Sequence, residues 1–270
     1  NKRILVIKEQ GVGDEILYSS MYNEVLTSFK NVKIETDKRL IPLFKNSFNS
    51  EAFIPISSFS NSKKKLKYFD IVIYAASLGK IFRNSISDFP KKQYLIADKK
   101  NILFYKKRLL KINSKKKIGI SWKSINKETG ADKSLDLNQL SPILKNESFT
   151  FINMQYGETA KEIEAFSKIY NTKIINIEEI DLFNDFNSMA ALIQNLDLFI
   201  SVSSTTAHLA AALGIPTWII KPKNHVLLHY WNQPNNNTSW YSNVRLFPFK
   251  KKWEATVKDI KVALEKKFNQ

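Results

Sequence analysis

Short β-rich apolar runs alternate with segments of helical periodicity along nearly all of the 270 residues, and this alternation constrains the fold more than any other feature. The chain opens with "RILVI" at 3–7, the glycine turn "KEQGVGDE", and a segment whose Ile16, Leu17, Met21, Val25 and Phe29 fall at helical spacing. "NVKIE" reads as a strand, "DKRLIPLFKNSF" as a helix interrupted by Pro42, and "AFIPI" as a further strand. "DIVIYAAS" reads as a clear buried strand, "YLIAD" as a weaker one, and "KNILFYKKRLLKI" as an amphipathic helix. The polar run "NSKKK" at 113–117 reads as a linker, after which the pattern restarts. "KIGISW", "FTFINMQ", "TKIIN", "DLFISV" and "PTWII" are then strands, and "LDLNQLSPIL", "ETAKEIEAFSKIY", "FNSMAALIQNL" and "STTAHLAAALG" the helices between them. Strands that alternate with helices form parallel βαβ units. Two such runs predict an α/β protein of two doubly wound Rossmann-like domains facing across a cleft, at 1–112 and 117–252, closed by a helix at 253–270 whose Val257, Ile260, Val262, Ala263 and Phe268 share a side.

Composition narrows the class. No run of about 18 apolar residues predicts a membrane span. The opening "NKRILVIKEQ" is a charged strand start rather than a signal peptide, and the missing Met fits a part excised from a longer protein. The absence of cysteine removes disulfides, thiol nucleophiles and Cys-ligated zinc, and fits a reducing, cytoplasmic setting. The formal charge of +17 suggests nucleic acid, yet arginine stands only at 3, 39, 83, 108 and 245. A dedicated reader of phosphates and base edges favours the arginine fork, so no nucleic-acid partner is expected. Attraction to anionic substrates, or peripheral contact with an anionic membrane surface from the cytoplasmic side, follows more generally from the positive field.

Ligands of parallel α/β sheets bind beyond the carboxyl ends of the strands, so those ends carry the candidate site. After 3–7 stand Gly11, Gly13 and Asp14. Asp14 is either a helix N-cap or a carboxylate at the cleft edge able to take a proton. After 197–202 stand Ser203, Ser204, Thr205 and Thr206, opening a helix packed by Ala207, Ala210, Ala211 and Ala212. A helix amino end carries free N–H groups and partial positive charge, to which hydroxyls add donors for a phosphate or diphosphate. One cap needs one hydroxyl, and here there are four. His208, one turn in, either faces the ligand or is a buried histidine bonded to backbone. After 117–121 come Ser121, Trp122 and Lys123, with Lys133 ahead of the next helix as either a point charge for the anion or a solvated lysine. After 149–154 come Gln155, Tyr156 and Gly157, a polar end suited to a base or sugar. The missing motifs exclude other chemistry. The chain has no G-x-G-x-x-G, P-loop or G-x-S-x-G elbow, and neither D-x-D nor a His/Asp/Glu cluster of metal spacing. No metal or other cofactor is expected.

Four stretches, "ILVIKEQGVGDEILYSS", "IGISWKS…KSLDLNQLSPIL", "FINMQYG" and "FNSMAALIQNLDLFISVSSTTAHLAAALGIPTWII", resemble in order the GT-B glycosyltransferases of the heptosyltransferase type, family 9. They are equally similar to the catalytic region that follows tetratricopeptide repeats in bacterial O-GlcNAc-transferase-like proteins, and "WYSNVRLFPFKKKWEATVKDI" resembles the closing segment of that group. The resemblance implies a nucleotide-sugar donor on the second domain, a glycan or protein hydroxyl acceptor against the first, and metal-free transfer with inversion. It also implies an upstream repeat domain as a partner. By motif match Asp14 takes the place of the general base and Lys133 that of a lysine on the donor phosphate. Ser204, Thr205 and Thr206 match the residues around the diphosphate, and His208 the histidine of that helix. Ser203 stands where the family pattern D-T-x-x-A-H has Asp. A catalytically reduced scaffold module of a larger repeat protein is the competing expectation.

Overall fold

The computed structural model describes residues 2–124, 130–221, 228–231 and 236–268. Residues 125–129, ahead of Lys133, and the last two residues of the expected closing helix lie outside them. The first sheet contains β1 (Arg3–Ile7), β2 (Asn31–Thr36), β3 (Phe53–Pro55) and β4 (Ile71–Tyr74), in the order β3-β2-β1-β4. The second contains β5 (Lys116–Ser121), β6 (Phe149–Asn153), β7 (Ile174–Ile175), β8 (Leu198–Val202), β9 (Thr217–Ile220) and β10 (Val244–Phe247), in the order β10-β9-β8-β5-β6-β7. Every paired strand is parallel. The helices are α1 (Val12–Tyr18), α2 (Tyr22–Ser28), α3 (Ile41–Phe48), α4 (Lys63–Leu66), α5 (Gly79–Phe82) and α6 (Lys99–Ile112), then α7 (Gly130–Lys133), α8 (Ser141–Leu144), α9 (Ala160–Tyr170), α10 (Phe186–Ile193), α11 (Thr205–Ala212) and α12 (Trp253–Phe268). In each sheet the strand order reverses direction beside the first strand, between β1 and β4 and between β5 and β8. Crevices open at such reversals.

Several expectations change. The helix read through Phe29 is α1, a 3₁₀ turn at Ser19–Met21, and α2, and Phe29 is extended and exposed beyond it. Pro42 starts α3 rather than interrupting it, because the first turn needs no proline N–H. β4 is a strand but not a buried one. It forms the sheet edge, with Ile71 36%, Val72 42% and Tyr74 57% exposed. "YLIAD" joins no sheet. Tyr94 and Leu95 instead donate their N–H groups to the Ala212 carbonyl at the end of α11, at 3.1 and 3.2 Å. The "NSKKK" run already enters β5 at Lys116, and the buried Lys117 ammonium folds back onto the Asn113 and Lys115 carbonyls. Of "LDLNQLSPIL", only Ser141–Leu144 is α-helix; Leu137–Leu140 is a 3₁₀ turn. "TKIIN" shortens to the two residues of β7, and β10 is a strand that the alternation does not mark. On α12, Val262 is exposed, while Val257, Ile260, Ala263 and Leu264 are buried.

One apolar cluster runs from Ile4, Ile16 and Phe44 of the first half into Met189, Ala190, Ala207 and Ala210 of the second. Contacts of α1 with α11, and of α6 and α3 with α10, carry it across. A second cluster, with Trp122, Leu140, Val257 and Ile260, fills the other face of the larger sheet. Gly119 in β5 lies opposite Phe199 of β8. A Cβ there would come within 2.5 Å of Leu196 Cδ1 and 2.6 Å of Phe199 Cδ2. Gly119→Ala is therefore expected to destabilise the fold by about 1–3 kcal/mol through overpacking, read as a lower urea midpoint at unchanged slope.

Candidate active site

The sheet reversals bring three strand ends together. Beyond β1, β5 and β8 lies a cleft of about 270 Å³ lined by Gly13, Asp14, Ser124, Lys133, Tyr156, Ser203, Ser204, Thr205, His208 and Tyr230, with Gly11 and Val12. Asp14 is not the N-cap. Gly11 holds that position, and Asp14 Oδ2, in the first turn, accepts the Gly11 N–H at 3.1 Å. Its Oδ1 accepts the Tyr230 hydroxyl at 3.1 Å. Gly13 lets the opening of α1 approach α11. A Cβ would sit 3.1 Å from His208 Cδ2 and 3.5 Å from the Thr205 Cα.

The four hydroxyls divide their work. Ser204 caps α11, accepting the Ala207 N–H at 3.3 Å, and bonds Ser201 Oγ at 3.0 Å and Thr206 Oγ1 at 2.9 Å. Thr206 turns away from the cleft and lines a smaller neighbouring cavity with Val12, Arg39 and Phe183. Ser203 Oγ accepts the Trp231 indole N–H at 3.0 Å. Thr205 faces the cleft, and its hydroxyl makes no hydrogen bond to another described residue. The Thr205 and Thr206 N–H groups, in the first helical turn, have no intrahelical acceptor.

Lys133 ends the short α7 and reaches the cleft, where burial lowers its pKa and the Asp14 charge opposes that shift. His208 is buried, with Nδ1 2.9 Å from the Tyr241 hydroxyl and its ring stacked on Trp231. Burial pulls its pKa down to about 4, helped by Lys133 and His229 and opposed by Asp14, so it is neutral at physiological pH. It is thus both buried and at the cleft wall, bonded to a side chain rather than to backbone.

Ser121 and Gln155 do not line this cleft. Gln155 Oε1 accepts the Ser121 hydroxyl and the Trp122 and Lys123 N–H groups, at 2.8–2.9 Å, and fastens the end of β5 to that of β6. Gln155 does border a larger cavity of about 420 Å³, with Tyr156, Glu158, Asn176 and Asp181. Tyr156 borders all three cavities. Spacing alone missed Tyr230 and Trp231. Their only sequence signal is a cluster of aromatics after β9.

Beside Asp14, Glu15 points into the first domain. Its Oε1 accepts the Asp37 N–H at 3.0 Å, while the buried Oε2 makes no hydrogen bond and lies 4.0 Å from Lys8 Nζ. Burial raises its pKa to about 8, against the pull of Lys8, the Asp37 N–H and Arg39 and with the push of the Asp37 charge. The unfolded chain ionises this group near its ordinary value of 4.5. Between those values the folded state holds a proton that the unfolded state lacks, so this group's contribution to stability falls as pH rises through that window. Glu15→Gln keeps an acceptor for Asp37. Its urea midpoint is expected to gain steadily on the wild type from pH 5 to pH 8.5.

The chain is similar over nearly its full length to glycosyltransferases of known structure. The glycosyl transferase family 9 structure from Veillonella parvula superposes with a TM-score of 0.65 at 13% identity, covering 96% of this chain and 89% of that one. The ADP-heptose lipopolysaccharide heptosyltransferase II of E. coli gives 0.65 at 14% identity, covering 98% and 97%. E. coli heptosyltransferase WaaC, solved with ADP-2-deoxy-2-fluoro heptose, gives 0.55 at 13% identity, covering 98% and 99%. The fold is therefore GT-B, of the heptosyltransferase type. Among curated proteins, FlbA of Caulobacter vibrioides is 26% identical over 97% of this chain, and the chain spans 46% of the length of that relative. No protein-family model matches.

Proposed function

We propose that the chain is a glycosyltransferase that moves a sugar from a nucleotide-sugar donor to a hydroxyl of a glycan or protein, with inversion and without a metal. The observation that carries this reading is that one cleft holds the Asp14 carboxylate on one wall and, on the other, the amino end of α11 with Lys133. Inverting transfer makes two demands. A base takes the acceptor proton as its oxygen attacks C1, and positive potential receives the charge that grows on the leaving diphosphate. Asp14 meets the first demand. The Thr205 and Thr206 N–H groups, the Thr205 hydroxyl and the Lys133 ammonium meet the second. These donors supply the counter-charge that a divalent ion supplies elsewhere. The fold likeness to WaaC, solved with ADP-2-deoxy-2-fluoro heptose, supports the donor class and makes ADP the first nucleotide to try. The neighbouring cavity on the other side of Tyr156, of about 420 Å³, offers room for the nucleoside. Ser203, held by Trp231, offers the sugar no carboxylate, which favours a donor contact different from the D-T-x-x-A-H pattern.

A nucleoside diphosphate from the set ADP, UDP, GDP and CDP is expected to raise the melting temperature, with a stabilisation of about 2.7 kcal/mol at a hundredfold excess over Kd. The shift should persist in EDTA, and a flat response to all four removes the donor site. Asp14→Asn is expected to cut donor turnover on the order of 10²-fold while leaving that thermal shift intact. Unchanged turnover strips Asp14 of its role. An intact shift with no turnover in the wild type favours instead a binding or scaffold module.

A further inference from the structure

The base is gripped from the far side of the cleft. Asp14 belongs to α1 of the first half, and Tyr230 lies 216 residues later, after β9 of the second. One carboxylate oxygen takes the Gly11 N–H of its own helix, and the other takes the Tyr230 phenol. Two donors on opposite oxygens fix the plane of a carboxylate, which is otherwise free to rotate about χ2. The next residue, Trp231, donates its indole N–H to Ser203 on the opposite wall. His208 is stacked on Trp231 at 4.9 Å and meets the Tyr230 ring edge-on at 4.9 Å, so both aromatics are anchored to α11.

We propose that Tyr230 is a positioning residue for Asp14, fixing the orientation in which the carboxylate receives the acceptor proton, with Trp231 and Ser203 holding Tyr230 in place. This rests on the glycosyltransferase reading and extends it. Orientation of the base then depends on the two halves being together, so donor hydrolysis is slow whenever they part. The phenol serves as a donor because it stays protonated. Burial, and then the neighbouring Asp14 charge, push its pKa well above the ordinary tyrosine value. Each carboxylate oxygen accepts more than one hydrogen bond, so the acceptor hydroxyl can bind without displacing Tyr230.

The test compares Tyr230→Phe, Asp14→Asn and the double variant, following nucleoside diphosphate release from nucleotide-sugar donors with water as acceptor, beside the thermal shift with the bare nucleotide. Tyr230→Phe is expected to keep the nucleotide shift and the donor KM, to lower kcat about tenfold, and to add no further loss in the Asp14→Asn background. Unchanged kcat, a changed donor KM with kcat intact, or an equal loss in both backgrounds overturns the proposal. If the wild type binds nucleotide but releases none from any donor, the base role of Asp14 fails and this inference with it. If no nucleotide shifts the melting temperature, the donor reading itself is what fails.

Discussion

Two helices that each open beyond a strand end, α1 and α11, pack against each other at the centre of this molecule. The opening of α1 follows β1, the opening of α11 follows β8, and Gly13 brings them to van der Waals contact at Thr205 and His208. Each end carries partial positive charge and unpaired N–H groups, and the Lys133 ammonium faces the same space. Such an arrangement repels itself unless negative charge is supplied. Asp14 supplies one carboxylate, bonded to the Gly11 N–H and the Tyr230 phenol. The small side chains of α11 are what permit the approach, since Ala207, Ala210 and Ala212 are completely buried.

The hydroxyl cluster at the opening of α11 shows how similar side chains are given different partners. Ser204 is held by Ser201 and Thr206, and it caps the helix. That leaves the Thr205 hydroxyl facing the cleft, without a hydrogen bond to another described residue. A run of four similar side chains thus contains one cap, one brace, one partner for an indole and one donor facing outward. Gln155 plays a comparable part at the end of β5, where one amide oxygen collects three donors and sets the strand end from which Trp122 and Lys123 leave.

Local periodicity located the strands and helices that frame the cleft, because β1, β5, β6 and β8 are buried runs with a glycine or hydroxyl turn just past them. Asp14, Gly13, Lys133, Ser203, Ser204, Thr205 and His208 were legible for the same reason, since each lies in or beside a segment that follows a strand. Properties set by distant partners were not legible. The exposure of β4 depends on its place at the sheet edge, with no strand beyond it among the described residues, and apolar content alone does not report that. "YLIAD" has strand composition, but the Ala212 carbonyl captures its N–H groups first. Ser121 and Gln155 sit at strand ends as expected, yet they are used on each other. Tyr230 reaches Asp14 through tertiary structure, and no spacing rule spans that separation.

The apolar cluster shared by the two halves has a consequence for how the molecule is put together. Ile16, Tyr18 and Phe44 are covered in part by α10 and α11, and Met189 and Ala207 in part by α1 and α3. Severed near residue 114, each fragment would bare a greasy flank that only its sister can cover. The chain is thus a single construction unit despite its two sheets. A wide swing of one lobe would wet the very contact that keeps both lobes folded, so parting them costs free energy in proportion to the apolar area bared.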